Sequence, residues 1–315
     1  PTSERMHSQT KTLPKSWLAF DLNVLRRVNF SSVAIPFSDD PSVGAYLKRL
    51  DARVMANDPL RSAWAACTAQ ITNNGERLSD EEVNVVLEDA YVPGYKLRNP
   101  ALATWFTETD SWWFDNVRHN IERLQSQMSQ AIASSIVLSV GNYVLSFKEE
   151  TRELRQPLSN AFRRFHSIQP AAYDNGETNT CQNKNADDFI AETPADLMFL
   201  RVPPAHAQST KGYLGRAAWR EEWLRGGGDF WEDLDTSMTG KLGSATETKS
   251  QYINLLEETL RRASHIKNWA IAHVESGFFQ TQDIVDCISE VRRVDTIYTK
   301  DFSELTGAKA VIITA

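Results

Sequence analysis

Two carboxylates and a proline occupy a loop where a nucleotide-type site would carry glycines. The stretch "FSDDPSVGAYLKRLDARVMANDPL", Phe37 to Leu60, reads as a short loop, an amphipathic helix and a strand ending in an acidic residue. Val43, Tyr46, Leu47 and Leu50 recur at helical spacing, and "ARVMAND" is a compact apolar run that closes on Asn57 and Asp58. A cofactor-binding α/β unit has this form, with glycines ahead of the helix so that backbone approaches a ligand and amide N–H groups face it. Here that loop is Ser38, Asp39, Asp40, Pro41. Proline supplies no amide donor and fixes φ.

A second group of residues could meet phosphates. In "KEETRELRQPLSNAFRRFH", the cations Lys148, Arg152, Arg155, Arg163 and Arg164 outnumber Glu149, Glu150 and Glu153, with Phe147, Phe162 and Phe165 on the inward side. The same pattern also describes a solvated helix face with i,i+4 pairs. Trp105, Trp112, Trp113 and Phe114 could stack on bases, although aromatic residues at helical spacing are commonly core.

Other chemistry is thin. His7, His119, His166, His206, His265 and His273 lie in separate segments without metal-ligand spacing, so no metal site is expected. "SVGN" and "GGGD" lack the residues and flanking elements of a phosphate loop, and serines such as Ser139 and Ser209 have no nucleophile-elbow context. Cys67, Cys181 and Cys287 are odd in number and far apart, which reads as three unpaired thiols in a reducing compartment.

The elements that must position these residues come from a chain of 315 residues, enough for one large domain with an insertion, or two domains. Its 34 basic and 41 acidic residues give a net charge of −7, which opposes coating nucleic acid by bulk charge but leaves room for a local basic patch. No run of about 18 apolar residues stands out and "PTSERMHSQTKTLPK" lacks a signal-peptide core, so no membrane partner and a cytoplasmic location are expected.

Three zones follow. Residues 1–75 and 171–315 read as an α/β core, and 76–170 as a largely helical insertion opened by a capping signal, Ser79 with Glu82 three residues on. Within the core, "SSVAIPF", "ADLMFLRVPP" and "NWAIAHV" read as strands, and "ADDFIAETP", "YINLLEETLRRASHI" and "TQDIVDCISEV" as helices. "RVDTIYTKDF" and "AKAVIITA" read as a closing antiparallel pair, residues 171–185 as a polar turn-rich connection, and "LRGGGDFWEDLDTSMTGKLGSATETKS" as a mobile surface loop.

The order of these pieces resembles that of the adenine-specific DNA methyltransferases of the Dam type, over nearly the whole chain. The matching stretches include "VGAYLKRLDARVMANDPLRSAW", "NNGERLSDEEV", "WFTETDSWWFDNVRHNIERL", "ADLMFL" before a prolyl loop, and "GFFQTQDIVDCISEV". The resemblance implies an S-adenosylmethionine-dependent methyltransferase-like, Rossmann-like sheet with helices on both faces and a helical insertion. The family's cofactor loop reads Phe-Ser-Gly-X-Gly-Ser-Val-Gly. Phe37 and Ser38 match it, while Asp39 and Pro41 stand at glycine positions and turn carboxylates towards the carboxylate end of the cofactor. Asp58 matches the acidic residue that accepts hydrogen bonds from the ribose hydroxyls, or it merely caps the segment that follows.

Where the family's catalytic strand ends in Asp-Pro-Pro-Tyr, this chain has Arg201, Val202, Pro203 and Pro204. Arginine has only donors, cannot accept from the target adenine's amine, and repels the sulfonium of the methyl donor; Pro204 offers no face for a flipped base. The N-terminal Gly-Ser-Lys motif aligns with "HSQTKTLP", with His7 for the glycine and Gln9 for the lysine.

The expectation is therefore a catalytically inactive methyltransferase-like protein with a vestigial site, binding no cofactor. Its scaffold is retained for double-stranded DNA or a protein partner, in a setting such as restriction-modification or defence. The alternatives are a divergent active adenine methyltransferase using S-adenosylmethionine, and a protein scaffold without a nucleic-acid role.

Overall fold

A computed structural model describes residues 15–89, 96–275, 278–303 and 308–315. The strands are β1 (Ser32–Ile35), β2 (Arg53–Asn57), β3 (Thr180–Gln182), β4 (Leu197–Arg201), β5 (Asn268–Glu275), β6 (Thr296–Asp301) and β7 (Lys309–Thr314). The helices up to the end of the insertion are α1 (Lys15–Leu25), α2 (Ser42–Arg49), α3 (Arg61–Cys67), α4 (Asp80–Val86), α5 (Glu108–Ile121), α6 (Gln127–Ser146) and α7 (Leu158–Ile168). Beyond it come α8 (Ala186–Glu192), α9 (Thr210–Leu214), α10 (Ala218–Arg225), α11 (Trp231–Met238), α12 (Lys249–Arg262) and α13 (Thr281–Ser289).

The strands form one mixed sheet in the order β3-β2-β1-β4-β5-β7-β6. The first five run parallel, and β7 enters antiparallel between β5 and β6. Central strands covered on both faces need continuous apolar runs rather than alternation, and "SVAI", "RVMAN" and "LMFLR" have them. Val33 and Ile35 face a layer with Trp17, Phe20, Leu47 and Cys67. Ala34, Met198 and Leu200 face Phe189, Tyr252, Leu256 and Ile284 on the other side. The chain is thus an α/β protein with helices on both faces, compatible with a Rossmann-like fold. β6 is the exposed edge, and Lys300 and Asp301 at its end discourage further pairing.

Between β2 and β3 the chain builds a helical body with its own core. The capping box predicted at its start is present: Glu82 N–H donates to Ser79 Oγ at 3.1 Å and Ser79 N–H to Glu82 Oε2 at 2.8 Å. Phe114, Phe162, Trp219 and Trp223 fill the centre of this core, with Phe106 stacked on Phe114 at 4.2 Å. The two tryptophans come from α10, so the body extends beyond residues 76–170 and recruits a helix from the later part of the chain. α6 is long and apolar enough by composition to cross a membrane, but most of it is buried within the structure.

Three expectations are corrected. β3 lies inside the stretch read as turns; its three residues "TCQ" carry no apolar run and are strand only because Met55–Asn57 offer a parallel ladder. The stretch read as a mobile loop contains α11, whose Trp231, Leu234 and Met238 are buried at helical spacing among glycines and acids. Gly226, at φ 78°, ends α10 just before it in the left-handed conformation that glycine adopts without strain. On α2 the inward residues are Val43, Gly44, Leu47 and Lys48, while Tyr46 and Leu50 are exposed. Hydrophobicity placed the helix correctly but turned its face by about one position.

Gly141 on α6 is required by the packing of the helical body. A Cβ there would fall 2.1 Å from Cη2 of the Trp219 ring, which is 1% exposed and has no room to retreat. Helix propensity favours Gly141→Ala by about 1 kcal/mol, whereas overpacking a closed core costs about 1–3 kcal/mol or more. The expected result is a lower midpoint in urea unfolding for Gly141→Ala. Gly75→Ala, where nothing stands within 4 Å, should leave the midpoint within error.

Candidate functional site

In an open α/β sheet a crevice forms beyond the carboxyl ends of the strands where the strand order reverses. Here the chain runs outward from β1 to β2 and β3, then returns to place β4 on the other side of β1. The reversal point is bounded by the β1–α2 loop, Phe37 to Pro41, and by the segment after β4, Arg201 to Ser209.

Carboxylates of the β1–α2 loop and of Asp58 after β2 occupy amides along the loop. Ser38 N–H donates to Asp58 Oδ2 at 3.0 Å, Asp40 N–H to Asp39 Oδ1 at 2.9 Å, and Ser42 N–H to Asp40 Oδ1 at 2.9 Å. Pro41 has no amide to give. The other oxygen of Asp58 accepts from Leu60 N–H at 2.9 Å. Asp58 is buried and ties the loop to the segment after β2. Burial drives its pKa well above the ordinary value, helped by Asp39 and Glu221. Beneath the loop, Cys67 Sγ lies 3.0 Å from Ser38 O. The sequence read Cys67 and Cys181 as unrelated, but β3 brings their thiols together. That contact, then burial, keeps the Cys67 thiol well above its usual range.

Arg201 points from the end of β4 into the crevice and forms an ion pair with Asp21 of α1. The two side chains are 20% and 4% exposed. A cavity of about 90 Å³ remains, lined among others by Phe37, Asp39, Phe199 and the ion pair. Small-molecule sites typically enclose about 300–1,000 Å³. Burial raises the pKa of Asp21, which Arg201 partly offsets. Asp39 keeps exposed surface yet stands deep between the walls; this desolvation raises its pKa, Arg201 opposes the rise and Asp40 adds to it.

The rest of the segment after β4 is pinned down. Val202 N–H donates to Ala272 O at 2.9 Å, and Tyr252 Oη donates to Pro203 O at 2.5 Å. Pro204 is exposed. His206 stacks on Tyr213 with ring centroids 4.0 Å apart, and its ring nitrogens face Gln208 O and Gly243 O. Arg220 donates to Asn142 Oδ1 at 2.7 Å and feels the charge of Asp39. Sequence reasoning missed Asp21, Tyr213 and Arg220 here, because their segments carry no motif and only the fold delivers them.

The basic stretch is divided by the fold. Lys148, Arg152, Arg163 and Arg164 are exposed, and Arg163 reaches Asn84 Oδ1 at 3.0 Å. Arg155 grips the nearly buried Asp110 through both terminal nitrogens at 2.8 Å, so its guanidinium is committed to the helical body. Phe162 is fully buried as its spacing predicts. Phe114 is core, Trp105 Nε1 donates to Glu222 Oε2, and Trp113 Nε1 donates to Ser159 Oγ at 3.0 Å. His119, His166, His265 and His273 lie apart, and no group of three metal-binding side chains occurs among the described residues. The motif with His7 and Gln9 lies outside the described residues. No family model and no curated protein matches this chain.

The arrangement can hold charge in place. The cavity beside the ion pair, at about 90 Å³, is smaller than a typical small-molecule site. Removing one member of the ion pair strands the other, at a cost of about 3–5 kcal/mol, while an apolar pair of similar volume is often neutral or better. Arg201→Leu alone should therefore lower the stability measured in urea, and Arg201→Leu with Asp21→Leu should recover most of the loss. Equal losses in the single and double variants would remove the pair's assigned role.

Acid titration gives a further expectation. A carboxyl with a raised folded-state pKa favours the fold below its unfolded value of about 3.8, and that contribution is lost as pH climbs through the folded pKa. Asp39→Asn, which keeps the Oδ1 acceptor, should raise the melting temperature at pH 7. The gain should shrink on acidification towards pH 4, and a pH-independent difference would contradict the assigned cause.

Proposed function

We propose that this chain is a methyltransferase-like protein that no longer transfers methyl groups and whose scaffold serves to bind double-stranded DNA through its helical body. The support for the first part is the sheet order with a reversed β7 between β5 and β6, taken with the resemblance along the sequence. The observation that carries the loss of activity is the Arg201–Asp21 pair in the crevice, at the place of the resembling family's catalytic strand end. A guanidinium neutralised by an aspartate accepts nothing from an adenine amine. The loop amides that would receive a cofactor's carboxylate are engaged by Asp39, Asp40 and Asp58.

Lys148, Arg152, Arg163 and Arg164 are the cations left for phosphate contact, and they give the DNA reading its footprint. A second reading has a specific observation behind it: Leu154 and Ile168, 77% and 63% exposed, sit in the same stretch and suit a protein partner. Salt separates the two. Each phosphate neutralised contributes about −0.9 to the slope of log K against log salt, whereas apolar contact is far less sensitive.

Isothermal titration with S-adenosylmethionine should show no binding tighter than about 10 μM, and tritium transfer to adenine-containing duplex should be absent. A gel shift at about 50 mM salt should be steeply salt-dependent. It should vanish in the combined variant Lys148→Glu, Arg152→Glu, Arg163→Glu, Arg164→Glu, with Arg155 left intact to preserve the fold. Methyl transfer by the native protein would overturn the first part of the reading, and no shift of any DNA would overturn the second.

A further inference from the structure

A second cavity, of about 400 Å³, lies along the outer side of α2 and shares only Ser42 with the lining of the crevice. Its walls come from α2, from Ala69 to Arg77, and from the connection Gln169 to Tyr173. Unlike the crevice, it has the volume of a small-molecule site.

Lys48 forms part of its floor. The side chain is 1% exposed, and its Nζ donates to Asn73 O at 2.6 Å. An ammonium carries three donors, and no carboxylate stands within ion-pair distance of this one among the described residues. A nearly water-free cation without a counterion is costly to hold. Desolvation accordingly lowers its pKa, and Asp174 opposes that only from a distance. Arg49 and Arg77 add two more cations to the wall. Arg77 also donates to His166 O at 3.0 Å, which fixes its direction. The acid in the lining, Glu76, accepts from Ser126 Oγ at 3.1 Å. Tyr46 and Tyr173, 49% and 39% exposed, complete the lining with aromatic surface.

We propose that this cavity is a binding site for a small ring-bearing anion of the nucleoside monophosphate class, with its phosphate on Lys48 and its ring against the tyrosines. The charge of Lys48, Arg49 and Arg77 selects the anion. Tyr46 and Tyr173 gain from covering a flat ring, since stacking tolerates any base. The site goes beyond the DNA reading, because none of its cations belongs to the Lys148–Arg164 stretch.

The test is isothermal titration of the full chain with adenosine monophosphate, inorganic phosphate and adenosine. Adenosine monophosphate should bind at one site with a dissociation constant below about 1 mM, and phosphate should compete more weakly. Lys48→Met, which keeps the buried stem, should weaken binding by about tenfold or more, as expected for loss of a charged hydrogen bond. It should leave the DNA gel shift unchanged. Should Lys48→Met fail to fold, Arg49→Gln with Arg77→Gln reads the same site and should weaken binding several-fold. Absence of binding, adenosine binding as tightly as its monophosphate, or affinity unchanged in the folded variants would each overturn the proposal.

Discussion

A guanidinium largely withdrawn from solvent at the end of a central strand needs a counterion, and Asp21 of α1 is the group that neutralises Arg201. The consequences run outward from that pair. α1 is drawn to the carboxyl edge of the sheet at Asp21, while its Trp17 and Phe20 join the apolar layer that covers β1. The crevice at the strand reversal shrinks to about 90 Å³. Asp39, across that space, retains a cation to oppose part of its burial and repulsion. A site meant for a dissociable ligand leaves some of its polar groups to be completed by that ligand, but here Asp21 is the partner and it is covalently part of the chain.

The β1–α2 loop reaches the same end by hydrogen bonding. A glycine-rich loop presents unpaired amides because it has no side chains with which to satisfy them, and an anion supplies the missing acceptor. An aspartate in such a loop places an acceptor within reach of a following amide, and the Asp39–Asp40 and Asp40–Ser42 contacts are of this local kind. The amides of Ser38, Asp40 and Ser42 thus have acceptors within the chain. The cost of this arrangement is mainly desolvation, which raises the pKa values of Asp39 and Asp58, and like charge adds to it from Asp40 at Asp39 and from Asp39 at Asp58.

The sheet was legible in the sequence because its central strands are buried on both faces and leave continuous apolar runs. The closing antiparallel pair was legible for a related reason, "AKAVIITA" becoming β7 with five buried residues in succession. What was hidden lacked a periodic signal of its own. β3 is polar and owes its conformation to β2, while α11 carries its buried stripe in a background of glycine and acid. Lys48 sits on a buried helix face where no pattern of hydrophobicity would place a cation. The candidate site was half legible. The loop residues and Arg201 could be picked out by type, but their partners come from elements 180 residues away in one case, Asp21, and so depend on topology.

The helical body is not an appendage that could be deleted without touching the crevice. Glu221 of α10 is fully buried and accepts from Arg61 N–H at 3.1 Å and Ser62 N–H at 2.6 Å, which satisfies the opening amides of α3 just beyond Asp58. Its neighbour Glu222 accepts from Trp105 and Trp231 indoles and from Lys211. Two adjacent carboxylates buried this deeply are tolerable only because each meets several donors, and those donors come from both sides of the junction. α10 therefore contributes Trp219 and Trp223 to the helical core with the same turns that tie α3 in place. The outer surface of the helical body is in this way mechanically continuous with the α3 segment beside the crevice.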